Sequence, residues 1–248
     1  MKNLSHTIYI IICLALVSFT SCSKRTIAPQ ESYEKEIPQS KTLESIDGTV
    51  KYLALGDSYT IGASVPPDSN FPSQLSTVLK NQLDAEVQTE IIATSGWRTD
   101  NLLDALDYTD TTPPYDLVTL LIGVNNQYQG ERFSKYKKEF SELFERSLIL
   151  ANENTERLVI ISIPDWGYTP FGQPWDVQKI SKEIDEYNAY AQELADKHGV
   201  KFINITDITR RGLEEEDLVA SDNLHPSAKA YKLFVGRMAP IIISQLKN

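Results

Sequence analysis

Short apolar runs alternate with longer amphipathic segments along most of this chain, and this alternation constrains the fold more than any other feature. Five runs have the length of β-strands: residues 50–55, 87–93, 116–122, 158–163 and 200–205. Five segments have apolar residues at helical spacing: 71–82, 99–107, 133–150, 177–198 and 227–245. The run 116–122 is almost wholly apolar, which is typical of a strand covered on both faces. Strands that alternate with helices in this way predict an α/β fold, a three-layer α/β/α sandwich around a parallel five-stranded sheet.

The N-terminus has the pattern of a targeting segment. Lys2 precedes a mostly apolar run over 8–19, which is too short for a comfortable membrane span and favours a signal peptide over residues 1–21. The run ends in Phe19-Thr20-Ser21-Cys22, which resembles the lipobox of bacterial lipoproteins. That resemblance predicts acylation at Cys22 and an extracytoplasmic protein anchored to a membrane, on the periplasmic side or the cell surface. The alternatives are an ordinary signal peptide with a chance cysteine, or an uncleaved anchor.

Residues 22–48 differ from the rest of the chain in composition. They are rich in Ser, Lys, Glu, Pro and Gln, which predicts a flexible linker between the lipid and the domain. Residues 49–248, about 200 in number, suit a single domain. The net charge is −10, and no cluster of Lys and Arg is visible beyond isolated pairs such as Arg210-Arg211, so the composition argues against nucleic-acid binding. The sequence leaves the oligomeric state open.

Small and polar residues follow three consecutive predicted strands. Ser58 lies in Gly56-Asp57-Ser58 after the first strand, Gly96 follows the second, and Asn125 follows the third. Ligands of parallel α/β sheets bind at the carboxyl ends of the strands, so these residues are candidates for one site. Each run taken alone also fits an ordinary turn.

A catalytic base has only two candidates in the body of the chain. His198 precedes Gly199 at a predicted helix C-terminus, where a cation is favoured for structural reasons. His225 follows Asp222 by three residues, a spacing that allows a carboxylate to orient an imidazole in a turn. A turn capped by Asp222 and Ser227 is the structural alternative.

Metal and thiol chemistry have little support in the sequence. The two cysteines, Cys13 and Cys22, both lie at the N-terminus. With no cysteine in the body and one spare histidine, we expect no disulfide, no metal site and no cofactor.

In combination, these blocks resemble a known family. Gly56-Asp57-Ser58, Gly96, Gly123-x-Asn125 and Asp222-x-x-His225 are similar, in this order, to the four blocks of the SGNH hydrolases, also called GDSL esterases and lipases. The resemblance spans Lys51 to the C-terminus. It implies a flavodoxin-like fold and ester hydrolysis through an acyl-serine intermediate.

The resemblance also implies residue roles. Ser58 would be the nucleophile, His225 the base, and Asp222 the group that orients the base. The backbone N–H groups of Ser58 and Gly96 and the side-chain amide of Asn125 would bind the oxyanion. The family often has Asp after the third-block asparagine, whereas this chain has Asn126, so the substrate is less constrained than the mechanism.

Several side chains near these blocks are candidates for substrate binding. They are Trp97 and Arg98, Asn126 with its neighbours Gln127 and Tyr128, and the loop 164–171 with Asp165 and Trp166. Aromatic rings beside polar groups suit a sugar or an acyl chain equally, and loop packing is the alternative.

The sequence has no long apolar lid segment. This favours an esterase acting on acetyl or short acyl groups of a carbohydrate or small molecule. A lysophospholipase or thioesterase, and a non-catalytic binding lipoprotein on the same fold, are the competing hypotheses.

Overall fold

The computed structural model describes residues 48–247. The predicted signal peptide over 1–21, the acylation site Cys22 and the predicted linker up to residue 47 lie outside the described residues. These N-terminal assignments therefore stay predictions.

Five parallel strands form the single sheet of the described region. They are β1 (Thr49–Gly56), β2 (Glu86–Ala93), β3 (Leu117–Leu121), β4 (Leu158–Ile161) and β5 (Lys201–Ile203). Their order across the sheet is β2-β1-β3-β4-β5, and every neighbouring pair is parallel. The order is that of flavodoxin-like folds, so the predicted fold class is confirmed.

Residues 48–247 contain eight α-helices. They are α1 (Ser58–Ile61), α2 (Phe71–Leu83), α3 (Thr99–Tyr108), α4 (Val124–Tyr128), α5 (Phe133–Leu150), α6 (Val177–His198), α7 (Thr206–Thr209) and α8 (Ala228–Leu246). Helices α5 and α6 begin and end where the apolar spacing predicts, and α6 closes on Gly199 in the left-handed conformation. No helix in this part of the chain combines the length and apolar character that a membrane crossing requires.

Two groups of helices pack on the sheet. Helix α2 packs against α8, whereas α5 packs against both α3 and α6. Strands β3 and β4 are buried along their whole length, as expected for strands covered on both faces. Strand β2, at one edge, is largely exposed. The core thus lies on both sides of the three central strands.

The strand order reverses direction between β1 and β3. From β1 the chain crosses to β2 on one side, and then returns to build β3, β4 and β5 on the other side. In open parallel sheets, ligands bind at the carboxyl ends of the strands that flank such a reversal. Ser58 directly follows β1, and Asn125 follows β3, so the chain places both residues at this position.

Candidate active site

The turn after β1 presents Ser58. Gly56 ends the strand, and a Cβ atom at this position would overlap the Leu121 carbonyl oxygen and Thr60 Oγ1, so only glycine fits. The Asp57 carboxylate then accepts a hydrogen bond from the Tyr59 N–H at 3.0 Å and caps α1. As the first residue of α1, Ser58 has a backbone N–H with no acceptor within the helix. Its Oγ has no hydrogen-bond partner among residues 48–247, which leaves the hydroxyl available.

Asp222 and His225 are joined directly. His225 Nδ1 lies 2.5 Å from Asp222 Oδ2, and Asp222 Oδ1 accepts the backbone N–H groups of Leu224 and His225, each at 3.0 Å. The carboxylate thus fixes both the backbone and the ring of His225. With Nδ1 held in this way, Nε2 is the nitrogen available for proton transfer.

Ser64 adds a fourth hydrogen bond to this carboxylate. Its Oγ donates to Asp222 Oδ2 at 2.6 Å, across 158 positions of sequence. Although burial alone would raise the pKa of Asp222, the hydrogen bonds from Ser64, His225 and the backbone lower that pKa well below its usual range. Asp222 is therefore a carboxylate throughout the neutral range. The Tyr59 ring packs against the His225 ring with 4.9 Å between centroids and supports it from another side.

The predicted oxyanion donors lie around the same cavity. Gly96 adopts a φ of 82°, which glycine tolerates best, and its carbonyl accepts Gln129 Nε2 at 3.0 Å. The Asn125 amide nitrogen lies 3.0 Å from the Trp97 carbonyl oxygen and 3.3 Å from Asp57 Oδ2. An oxyanion would take one of these two amide protons, and the longer bond to Asp57 is the weaker one to replace.

Asp57 itself is fully buried behind the nucleophile. Burial raises the pKa of its carboxyl to about 7, and the hydrogen bonds from Tyr59 and Asn125 only partly offset that effect. Asp57 therefore takes up a proton near neutrality, next to both the nucleophile turn and the Asn125 amide.

A cavity of about 200 Å³ brings these groups together. Ser58, Gly96, Asn125 and His225 all line it. The aromatic rings of Tyr128, Trp166 and Phe171 form further parts of its wall. A hydroxyl, an imidazole and amide donors around one small apolar-walled cavity are the components of nucleophilic acyl transfer.

Two predicted substrate contacts are placed away from the cavity surface. Asn126 is fully buried, and its amide accepts the Thr99 N–H at 3.1 Å and donates to Thr99 Oγ1 at 2.7 Å, which fixes the start of α3. Asp165 is also fully buried, and its carboxylate accepts hydrogen bonds from Gly167, Ser181 and Arg210. The polar atoms of Asn126 and Asp165 are hydrogen-bonded within the protein. Both residues therefore stabilise loops and do not contact the cavity.

Trp97 and Arg98 are also engaged within the protein. Arg98 forms an ion pair with Asp100 at 2.9 Å and contacts Gln129 and Glu131. The half-buried Trp97 ring packs against the core, and its carbonyl holds Asn125. Neither side chain lines the cavity at Ser58. Arg98 instead pairs with an acidic neighbour, and Trp97 packs in its loop, which are the structural alternatives to substrate binding.

Trp166, in contrast, lies at the cavity wall. Its indole Nε1 donates to Gln127 Oε1 at 2.7 Å, and the ring packs edge-on against Tyr128 with 5.2 Å between centroids. The aromatic group also includes Trp175, beyond the predicted loop. Sequence reasoning missed Trp175, Tyr59 and Ser64. The proximity of Tyr59 to Ser58 in sequence was the only available signal among the three.

Among residues 48–247, no group of three or more His, Cys, Asp and Glu side chains is arranged to hold a metal ion.

The fold and the site define a hydrolase with a serine at the switch point of a doubly wound sheet. The chain belongs to the GDSL-like lipase/acylhydrolase family, whose model matches residues 54–233. The match covers all four blocks described above. Among curated proteins, no sequence is significantly similar to this chain.

Solved structures share the fold at low sequence identity. A lipase from a goat rumen metagenome has a TM-score of 0.64 and 20% identity, over 77% of this chain and 97% of the lipase. The psychrotrophic esterase EstA from a Pseudoalteromonas species has a TM-score of 0.59 and 18% identity, over 80% and 99% of the two chains. An acetyl xylan esterase from Geobacillus stearothermophilus has a TM-score of 0.55 and 16% identity, over 78% and 94%. At these identities the likeness establishes the fold.

Proposed function

We propose that this chain is a serine esterase that removes acetyl or other short acyl groups from a carbohydrate or small-molecule alcohol. The observation that carries the proposal is the single cavity lined by Ser58, His225, Gly96 and Asn125, with Asp222 bound to the far side of His225. Binding alone would not require a nucleophile, a base, an orienting carboxylate and oxyanion donors together, which disfavours a non-catalytic binding lipoprotein.

The reaction proceeds in two halves. Ser58 Oγ attacks the acyl carbonyl while His225 Nε2 takes the hydroxyl proton, and the tetrahedral oxyanion is held by the Ser58 and Gly96 N–H groups and the Asn125 amide. The intermediate collapses as His225 passes its proton to the leaving alcohol, which leaves acyl-Ser58. Water, deprotonated by His225, then attacks the acyl group, and the acid departs as Ser58 regains its proton. Asp222 remains ionised throughout and stabilises the imidazolium.

The size of the cavity supports a short acyl group. At about 200 Å³ it lies below the ~300–1,000 Å³ of typical ligand pockets. A neighbour in fold is described as an acetyl xylan esterase, which agrees with this preference. A lysophospholipase or thioesterase is the second candidate, because a membrane tether would bring the site close to lipid.

A chain-length series tests both the chemistry and the preference. We expect the purified protein to hydrolyse p-nitrophenyl acetate, with kcat/KM falling as the acyl chain lengthens to palmitoyl. Ser58→Ala should abolish turnover and labelling by a fluorophosphonate. Ser95→Ala is the matched control, because Ser95 lines the same cavity without following the glycine turn, and it should keep the label. Wild-type protein that neither turns over nor labels would contradict the esterase proposal, and a maximum at long chains would favour the second candidate.

The proposed location is extracytoplasmic, with the protein anchored by lipid at Cys22. The support is the short apolar run followed by the lipobox-like Phe19-Thr20-Ser21-Cys22. Cys22→Ser should stop incorporation of labelled palmitate and release the protein from the membrane fraction, whereas Cys13→Ser should do neither. Membrane retention and labelling of the Cys22→Ser protein would refute this anchor.

A further inference from the structure

A second cavity, of about 530 Å³, adjoins the one at Ser58. The two cavities share Tyr128 and Trp166 as a common wall. The larger one extends from there toward the first turns of α6 and is lined on that side by Trp175, Glu183 and Glu186. A substrate whose acyl group lies at Ser58 therefore has room in the larger cavity for its alcohol part.

The common wall carries exposed aromatic rings. Trp175 is 55% exposed and Tyr128 45% exposed, although large aromatic side chains are normally well covered. Trp166 contacts both rings edge to face, at 5.2 Å from Tyr128 and 5.9 Å from Trp175. Because the three rings pack against each other, no space between them could enclose a cation. The exposed rings of Tyr128 and Trp175 instead offer their outer faces to solvent, and a ligand with a flat surface can stack on such a face.

Away from the common wall, the larger cavity combines the apolar side chains of Phe133, Ile180 and Tyr187 with a group of charged residues that is mostly acidic. Four carboxylates line it against one lysine: Glu131, Asp176, Glu183 and Glu186, with Lys179. The Glu183 carboxylate accepts Gln127 Nε2 at 2.8 Å, and Lys179 lies 3.8 Å from it. Burial raises the pKa of the Tyr187 phenol to about 12, and the charges of Glu183 and Glu131 add to that effect. The negative field is therefore felt at the cavity wall.

The carboxylates of this lining disfavour two classes of occupant. An anionic headgroup would be repelled by the net negative lining. An alkyl chain would displace water from carboxylates without offering them hydrogen bonds, which is costly. Carboxylates only accept hydrogen bonds, so they select a ligand rich in donors. A sugar ring fits both the aromatic wall and the carboxylates, because it has an apolar C–H face that can stack on an aromatic ring and hydroxyl donors around its edge.

We infer that the larger cavity is the alcohol subsite of the enzyme and binds an uncharged carbohydrate. One sugar ring stacks on Trp175, and its hydroxyl groups donate hydrogen bonds to the carboxylates of Glu183 and Glu186. This inference rests on the proposed esterase function and specifies its alcohol. The acyl group, carried by a neighbouring sugar of the same oligosaccharide, then enters the cavity at Ser58, on the other side of Tyr128 and Trp166.

Kinetics on two kinds of ester test the subsite. The probes are a panel of acetylated xylo-, manno- and chito-oligosaccharides, with p-nitrophenyl acetate as the ester that has no sugar. For Trp175→Ala, the ratio of kcat/KM on the best oligosaccharide to kcat/KM on p-nitrophenyl acetate should fall at least tenfold, mainly through KM. Trp175→Phe, which keeps a flat ring, should recover most of the ratio. Tyr108→Ala is the matched control, because Tyr108 is 90% exposed at the end of α3 and should leave the ratio unchanged.

A binding measurement separates this inference from the esterase proposal. Ser58→Ala protein is titrated with the same oligosaccharides by isothermal titration calorimetry, and saturable binding that is lost in the Ser58→Ala, Trp175→Ala double variant supports the subsite. If p-nitrophenyl acetate is not hydrolysed, the esterase proposal fails while this titration still decides the subsite. Turnover of p-nitrophenyl acetate without turnover or binding of any oligosaccharide overturns the subsite alone. An unchanged ratio in Trp175→Ala, or a preference for lysophospholipids over every sugar ester, also overturns it.

Discussion

The nucleophile turn contains a buried acid that the reaction does not require as an acid. Asp57 serves the site by accepting hydrogen bonds from the Tyr59 N–H and the Asn125 amide, and both bonds are strongest when the carboxyl is ionised. Full burial opposes ionisation, so its pKa rises to about 7. The residue that shapes the turn is thus also one that makes folding sensitive to pH.

Replacement of Asp57 by asparagine should remove this sensitivity. Between about pH 4, where an unfolded Asp titrates, and pH 7, the folded protein holds a proton at Asp57 that the unfolded chain has lost, so stability falls as pH rises. With a folded pKa of about 7, the loss across this window approaches ~4 kcal/mol at ~1.4 kcal/mol per pH unit. We expect urea denaturation of wild type to show this decline relative to Asp57→Asn.

The slope with pH is the measured quantity in that comparison, because an amide facing Asn125 adds a cost of its own at every pH. Asp68→Asn, at an exposed position, is the control and should keep the wild-type slope. Parallel stability curves for wild type and Asp57→Asn would show that Asp57 is ionised across the range.

At the scale of elements, the sequence predicts the helices better than the strand ends. The apolar spacing places α5 and α6 correctly at both ends, because amphipathic faces and the Gly199 cap are local signals. The predicted strand over 200–205 is only Lys201–Ile203 in the structure. Beyond Ile203, Ser162 Oγ accepts the Ile205 N–H at 2.7 Å, so a side chain from a neighbouring segment replaces the sheet partner. Apolarity alone cannot reveal that exchange.

The site divides in the same way. Short motifs after predicted strands or before a helix contain the candidate catalytic and oxyanion residues, so the sequence identifies them. They are Ser58, Gly96, Asn125, Asp222 and His225. Ser64 and Trp175 have no such context. Ser64 meets Asp222 only because the loop after α1 folds against the loop before α8, which is a long-range contact. Asn126 and Asp165 stand beside the motifs, yet tertiary packing buries them.

The contact between these two loops predicts a loss of activity on Ser64→Gly. Ser64 has a φ of 66°, so glycine removes the hydroxyl and relieves the backbone strain that the serine Cβ causes there, whereas alanine would keep that strain. A hydrogen bond to an exposed carboxylate is worth about 1 kcal/mol, so kcat/KM on p-nitrophenyl acetate should fall about threefold to tenfold as His225 loses orientation.

The control for that loop variant is Ser69→Gly, because the Ser69 hydroxyl bonds only its neighbour Asp68. It should retain wild-type kcat/KM. The reduction in Ser64→Gly should appear in kcat rather than in KM, since Ser64 lies outside the cavity lining. A pure KM effect would point to a rearranged cavity and contradict this role.

Over the whole molecule, the net charge of −10 and the acidic cavity act on substrates in the same direction. The negative potential repels anionic esters and lowers their encounter rate, it attracts cationic esters and raises theirs, and salt screens both effects. A lipid tether at Cys22 would hold this acidic body near membrane phosphates of the same sign, so the charge disfavours anionic substrates in that location as well.

Salt dependence therefore distinguishes esters by charge. Raising ionic strength from about 0.01 M to about 1 M shortens the Debye length from ~30 Å to ~3 Å. We expect kcat/KM to rise severalfold for p-acetoxybenzenesulfonate, to fall for an acetoxyphenyl trimethylammonium ester, and to stay nearly constant for p-nitrophenyl acetate, which controls for general salt effects. Glu186→Gln should weaken both trends, because Glu186 is an exposed carboxylate of the larger cavity. The same salt response for all three esters would mean that the acidic surface does not reach the site, and that the hydrogen-bonding groups of the cavity alone select the alcohol.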